Sequence, residues 1–209
     1  MAVTDKVGQV VLYLVRHAEV TKDKEGKIRG LLNDSLNDKG HKQASEIADL
    51  FDGKEIRAAY TDDLKRTQQT LQPVAASKGL EIKVDPELRS WDVGSDLEGK
   101  SIEANDDEIK RLKSQPWLVP VGGKSWESYL QQIRSAFSRY WQMGLENGPI
   151  LLVVHGSGLQ VIWDMLGAME LSAEYDRTPL DNSGVAAVYQ TRQGPKLKVL
   201  RGANPGIDE

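Results

Sequence analysis

Two apolar runs without polar alternation stand out along the chain, Val10-Val-Leu-Tyr-Leu-Val15 and Pro149-Ile-Leu-Leu-Val-Val154. A strand with one face in water alternates between apolar and polar residues. These runs do not, so each predicts a strand buried on both faces. Both break abruptly into polar residues, the first into Arg16-His17-Ala18-Glu19 and the second into His155-Gly-Ser-Gly158. Residues 56–60 and 81–84 predict two further strands, and 185–190 with 197–200 a late hairpin or pair of edge strands.

Helical spacing fills the gaps. Asn37 is placed to cap a helix in which Ala44, Ile47, Ala48 and Phe51 share a face, with Gly53 as its stop. Another helix follows Thr61-Asp62, and Pro73 is expected to kink or divide it. Ser125 opens the clearest case, since Trp126, Tyr129, Leu130, Ile133, Phe137, Tyr140 and Trp141 recur at helical intervals. A last helix follows Gly158 and closes at Gly167. Strands alternating with helices imply βαβ units, hence an α/β fold of three layers, α/β/α, around a mostly parallel central sheet.

Residues 92–124 break the pattern with turn formers, charge and an extended stretch flanked by Pro116 and Pro120. They are expected to form a lid or cap insertion within one domain covering 1–209. Residues 22–27 read as a solvated charged loop.

Composition narrows the classes of function. The chain has 209 residues and a net charge of −4, which opposes extended binding to nucleic acid or to an anionic membrane. It contains no cysteine, which removes disulfides, thiolate metal sites and cysteine nucleophiles. The N-terminus lacks a basic segment, and the first apolar run is too short for a signal or a membrane span. A cytoplasmic protein is expected, and nothing in the pattern assigns an oligomeric state.

The chemistry concentrates at strand ends. In open α/β sheets, ligands sit beyond the carboxyl ends of the strands. Of three histidines, His17 and His155 follow the two buried runs directly. Arg16 adjoins His17, and Arg66 follows the third strand. Guanidinium forks hold phosphoryl oxygens in pairs and depress the proton affinity of a nearby imidazole. A neutral imidazole is a nucleophile, so covalent transfer of a phosphoryl group to His17 and then to water is indicated. A two-histidine metal site is the competitor, but arginines repel cations, so neither a metal nor another cofactor is expected. Ordinary readings stand beside these: either histidine alone is commonly structural, and Arg66 suits a helix surface, paired with Asp62 or Asp63. Ser157 suits a helix cap or a phosphate ligand. Trp91 and Trp117 are candidates to line a substrate pocket.

Leu14-Val-Arg-His-Ala-Glu19 resembles the Leu-Val-Arg-His-Gly-Glu signature of the histidine phosphatase superfamily, the phosphoglycerate-mutase-like family. Further blocks agree in order. Thr61-Asp-Asp-Leu-Lys-Arg-Thr-Gln-Gln-Thr70 is similar to its arginine block, Gly122-Gly-Lys-Ser125 to Gly-Gly-Glu-Ser, and Val153-Val-His-Gly156 to its second histidine block. The resemblance implies a phosphorylated histidine at His17, phosphate-binding arginines at Arg16 and Arg66, and a second pocket histidine at His155.

Two departures matter. Asp23 stands where many members have an asparagine, and a carboxylate there would repel a phosphate dianion, so it must turn away or be replaced by another donor. Ser90 aligns with the usual glutamate acid, yet a hydroxyl is too weak an acid for that task. Asp92, two residues on, is the nearest replacement, with Glu87 and Glu98 behind it; the competing role for Asp92 is to cap the Gly94 turn. The resemblance therefore implies a metal-independent phosphomonoesterase acting on a small phosphorylated metabolite, with His17, Asp92 and His155 catalytic. A phosphoglycerate-type mutase, a protein-histidine phosphatase and a phosphate-binding pseudoenzyme are the alternatives.

Overall fold

Leu12 and Leu14 of the first strand pack on one side of the sheet, Tyr13 and Val15 on the other, and both sides are covered. In the computed structural model, which describes residues 6–169, 171 and 178–203, this strand is β1 (Val10–Arg16). Residues 1–5, on which part of the compartment expectation rests, lie outside that range.

The chain continues through α1 (Thr21–Lys24), α2 (Asp38–Leu50), β2 (Ala58–Thr61), α3 (Lys65–Lys78) and β3 (Ile82–Val84). Two 3-10 turns, α4 (Asp106–Ser114), α5 (Trp126–Asn147), β4 (Ile150–Val154), α6 (Gly156–Met165), β5 (Leu180–Thr191) and β6 (Gly194–Ala203) complete it. The six-stranded sheet has the order β3-β2-β4-β1-β5-β6. Its first four strands are parallel, and β5 and β6 add antiparallel to the β1 edge. The mostly parallel α/β/α architecture is therefore as expected, down to the late hairpin.

Period-two alternation sorts the core. Leu12, Leu14, Leu152 and Val154 meet α5 and α6 residues such as Tyr129, Ile133 and Trp163. Val15, Leu151 and Val153 meet Ile47, Phe51, Leu71 and Val74 from α2 and α3. Asn37 caps α2 by accepting from Gly40 N–H, and Ser125 caps α5 by accepting from Ser128 N–H.

Two local expectations are corrected. Pro73 does not divide α3, which runs unbroken from Lys65 to Lys78. Burial of Leu71 and Val74, each worth about 1.5–3 kcal/mol, outweighs the ~3 kcal/mol cost of an interior proline. The charged stretch 22–27 holds the short helix α1, whose Asp23 side chain accepts from Val20 N–H at 2.8 Å. The segment 92–124 contains α4, which buries Ile109 and Leu112 in the same core as Trp91, Val93 and Trp126. Gly94 makes the fold of that segment possible. Its φ is +80°, and a Cβ there would lie 2.2 Å from the Val121 carbonyl oxygen.

No helix among the described residues is long and apolar enough to cross a membrane.

Candidate active site

Arg16 and Val154 are partners in the β1–β4 ladder, so the residues that follow them, His17 and His155, leave the sheet side by side. His17 N–H donates to Val154 O at 3.0 Å. The two imidazole centroids lie 5.2 Å apart.

His17 is fully buried. Its Nδ1 lies 2.9 Å from the Ala18 carbonyl oxygen, and a carbonyl only accepts, so the ring proton sits on Nδ1. Nε2 keeps its lone pair and has no hydrogen-bond partner among the described residues. Burial holds the His17 pKa well below the usual imidazole range, and the charges of Arg29, Arg66, His155 and Arg16 push it further down. The result is a neutral ring with an unengaged nucleophilic nitrogen.

His155 is fixed in the complementary way. Its Nδ1 accepts from Arg66 Nη2 at 3.3 Å, and its Nε2–H donates to Asp62 Oδ2. Burial pushes its pKa down to about 4, with Asp62 pulling upward and Arg66 pushing down. Asp62 also accepts from the Thr67 hydroxyl and from Leu64 N–H. Burial alone would raise its pKa; the charge and hydrogen bond of His155, with the Thr67 and Leu64 bonds, hold it low. The neighbouring Asp63 faces the other way and pairs with Arg89.

Arg66 projects from the first turn of α3, with Nη1 on Leu32 O and Nη2 on Gly30 O. One turn on, Thr70 Oγ1 donates to Arg66 O at 2.6 Å and accepts from Ala18 N–H at 2.9 Å. One helix thus holds both the guanidinium and the backbone beside His17. Arg16 Nη1 donates to Thr178 Oγ1 at 2.7 Å and to Leu180 O at 2.8 Å.

A cavity of about 40 Å³ lies here, lined by Arg16, Arg29, Ser90, Trp91, His155 and Ser157, among others. The chemistry it can support is capture of a small anion beside a neutral imidazole.

The family model of the histidine phosphatase superfamily (branch 1) matches residues 12–202. The chain belongs to that superfamily.

Among its relatives is the "Probable phosphoglycerate mutase GpmB" of Cronobacter sakazakii, 31% identical over 194 residues, or 89% of this chain and 87% of the relative. The "Putative phosphoserine phosphatase 2" of Hydrogenobacter thermophilus is 28% identical over 90% of this chain and 94% of its own. In fold, the chain is similar to the α-ribazole phosphatase of Shigella flexneri, with a TM-score of 0.75, 22% identity, and 95% and 99% of the two chains covered. The chain is a phosphatase of the histidine phosphatase superfamily.

The fold of this phosphatase brings together Arg16, His17, Arg66 and His155. Asp92 lines a second cavity of about 420 Å³ with Leu31, Glu87, Arg89 and Lys124. Ser90 lines both cavities. Asp92 Oδ1 accepts from Gly94 N–H at 3.2 Å, the turn-capping contact. Glu87 is held by Arg139 at 2.9 Å, and Glu98 accepts from Leu31 N–H. Ser157 does not cap α6; its Oγ lies 2.9 Å from Tyr129 Oη and 3.3 Å from Ser90 Oγ. Trp91 lines the small cavity, whereas Trp117 is exposed and lines neither of these two. His41 is exposed on α2.

Sequence reasoning missed Arg29 and undervalued Asp62. The signal for Asp62 was its place at the end of β2, level with the two histidines. Arg29 carried no periodic signal. Asp23 is compensated where it stands: it accepts from Val20 N–H and from Asn182 Nδ2 at 3.2 Å, and pairs with Arg29.

Proposed function

We propose that this phosphatase is a metal-independent phosphomonoesterase that hydrolyses a small phosphorylated metabolite through a phosphohistidine at His17. The observation that carries the proposal is the buried Nε2 of His17, unengaged among the described residues and surrounded by the charges of Arg16, Arg29 and Arg66.

His17 Nε2 attacks phosphorus in line with the ester oxygen, forming the N–P bond as the P–O bond breaks. Arg16 and Arg66 offer N–H groups to the non-bridging oxygens. A dianion entering the cavity raises the proton affinity of His155, whose Nε2–H already faces the Asp62 carboxylate. A proton taken from solvent onto Nδ1 breaks the contact that Nδ1 accepts from Arg66 Nη2, and both nitrogens then donate to phosphoryl oxygens. Asp92, reached from the larger cavity, gives its proton to the leaving alkoxide. It then takes one from the water that attacks phosphorus, and inorganic phosphate departs as His17 regains its lone pair.

The test is rapid quenching with a phosphorus-labelled aryl phosphate. An alkali-stable, acid-labile label on His17, lost in His17→Ala, is expected, with p-nitrophenyl phosphate turnover unaffected by chelator. Full activity in His17→Ala would end the proposal. The name of the Cronobacter relative favours a second reading, transfer to another hydroxyl. Phosphorylated acceptor appearing at the expense of free phosphate, when alcohols are supplied, would establish it.

A further inference from the structure

Asp23 and Arg29 form an ion pair in which both side chains are nearly buried, with relative exposures of 11% and 13%. Arg29 lines the small cavity with Arg16 and His155. Asp23 does not stand there alone. Its carboxylate accepts from Val20 N–H and from Asn182 Nδ2, and the same Asn182 nitrogen lies 3.3 Å from the His17 carbonyl oxygen, to which it donates.

The backbone that presents Arg29 is fixed on both sides. Ile28, fully buried, donates from N–H to Lys100 O at 2.9 Å and accepts from Gly99 N–H at 2.7 Å. Gly30 O accepts from Arg66 Nη2. Arg29 thus lies between an anchored isoleucine and a carbonyl already bound to the phosphate-pocket arginine. A planar guanidinium held in this way is suited to grip phosphoryl oxygens.

We infer that Arg29 is a third phosphoryl-binding guanidinium and that Asp23 is its positioning partner, the two acting as one unit. The inference rests on the phosphomonoesterase reading for its substrate. Asp23 orients Arg29 and gives up its own charge to it. Without Arg29, the same carboxylate would be left uncompensated beside an incoming dianion, which makes removing one partner worse than removing both. Burial is the largest influence on His17, and Arg29 is the first of the charges that follow it, ahead of Arg66 and Arg16.

The experiment is a double-mutant cycle over Asp23→Asn and Arg29→Gln. It reads the affinity for inorganic phosphate and orthovanadate by calorimetry, kcat/KM for p-nitrophenyl phosphate, and thermal unfolding. Arg29→Gln is expected to lose about 10²-fold in kcat/KM, the usual effect of removing one transition-state donor, with a parallel loss of vanadate affinity. The double variant is expected to recover at least a tenth of the wild-type affinity. Wild-type affinity in Arg29→Gln, or strictly additive losses, would overturn the inference. Should Arg29→Gln not fold, Arg29→Lys keeps the charge and removes the fork. Weaker vanadate binding at an unchanged melting temperature supports the assignment, and wild-type binding overturns it. Equilibrium anion binding does not require turnover, so an inactive wild type would remove the esterase reading while leaving the Arg29 result legible.

Discussion

His155 donates its Nε2–H to Asp62 and accepts from Arg66 through Nδ1 at 3.3 Å. A carboxylate behind the ring and a guanidinium in front leave a single tautomer. Asp62→Asn keeps an oxygen for Nε2–H but removes the charge that favours a second proton on His155. It is expected to fold normally and to lose about 10²-fold in kcat/KM. Asp62→Ala also strands a buried N–H, at a cost of about 1–3 kcal/mol. Steady-state kinetics and urea unfolding check the two variants.

The same burial predicts acid sensitivity. His155 drops from 6.5 to about 4 in the folded state, and His17 is lowered as well. The unfolded chain therefore binds more protons below 6.5, so stability is fully present above that pH and lost as pH falls toward 4. His155 alone accounts for about 3 kcal/mol across that window, and His17 acts in the same direction. Asp62, whose pKa is lowered, keeps its contribution until the pH falls below the ordinary carboxylate range. Urea midpoints should fall steeply from pH 7 to 5, and less steeply in His155→Asn. A flat profile would contradict neutral burial.

Legibility in the sequence followed burial. β1 and β4 lie inside the sheet, so their runs have no polar interruptions, and the break at each end exposes a histidine. α4 was hidden because its three leading acids, Asp106, Asp107 and Glu108, resemble a turn and only Ile109 and Leu112 mark an apolar face. Arg29 was hidden for a different reason. It belongs to an irregular segment held by backbone pairing with Gly99 and Lys100, so no period announces it. Asp62 and Asp63 are adjacent and chemically alike. Only the exit of the chain from β2 turns one inward to His155 and the other outward to Arg89.

Gly144 tests the packing of α5 independently of the chemistry. A Cβ there would lie 2.6 Å from the Val11 carbonyl oxygen and 2.7 Å from Val11 Cγ1, so α5 could not keep its approach to β1. Overpacking costs about 1–3 kcal/mol, partly offset by the ~1 kcal/mol helix preference of alanine over glycine. Gly144→Ala should lower the melting temperature by a few degrees, roughly 2–4 °C per kcal/mol for a chain of this size, with kcat unchanged, since Val11 lies at the far end of β1 from His17.

Asp92 presents two roles that one substitution separates. Its Oδ1 caps Gly94 N–H, and an asparagine oxygen does this equally well. An amide cannot deliver a proton. If Asp92 is the acid, Asp92→Asn should leave the unfolding midpoint near wild type and lower kcat for an alkyl phosphate by about 10²–10⁴-fold, the usual contribution of general acid catalysis. An activated aryl phosphate, whose phenolate leaves without help, should lose less than about tenfold. The ratio of the two losses is the measurement. Equal losses on both esters would restrict Asp92 to the turn and pass the proton donor's role to another group lining the larger cavity.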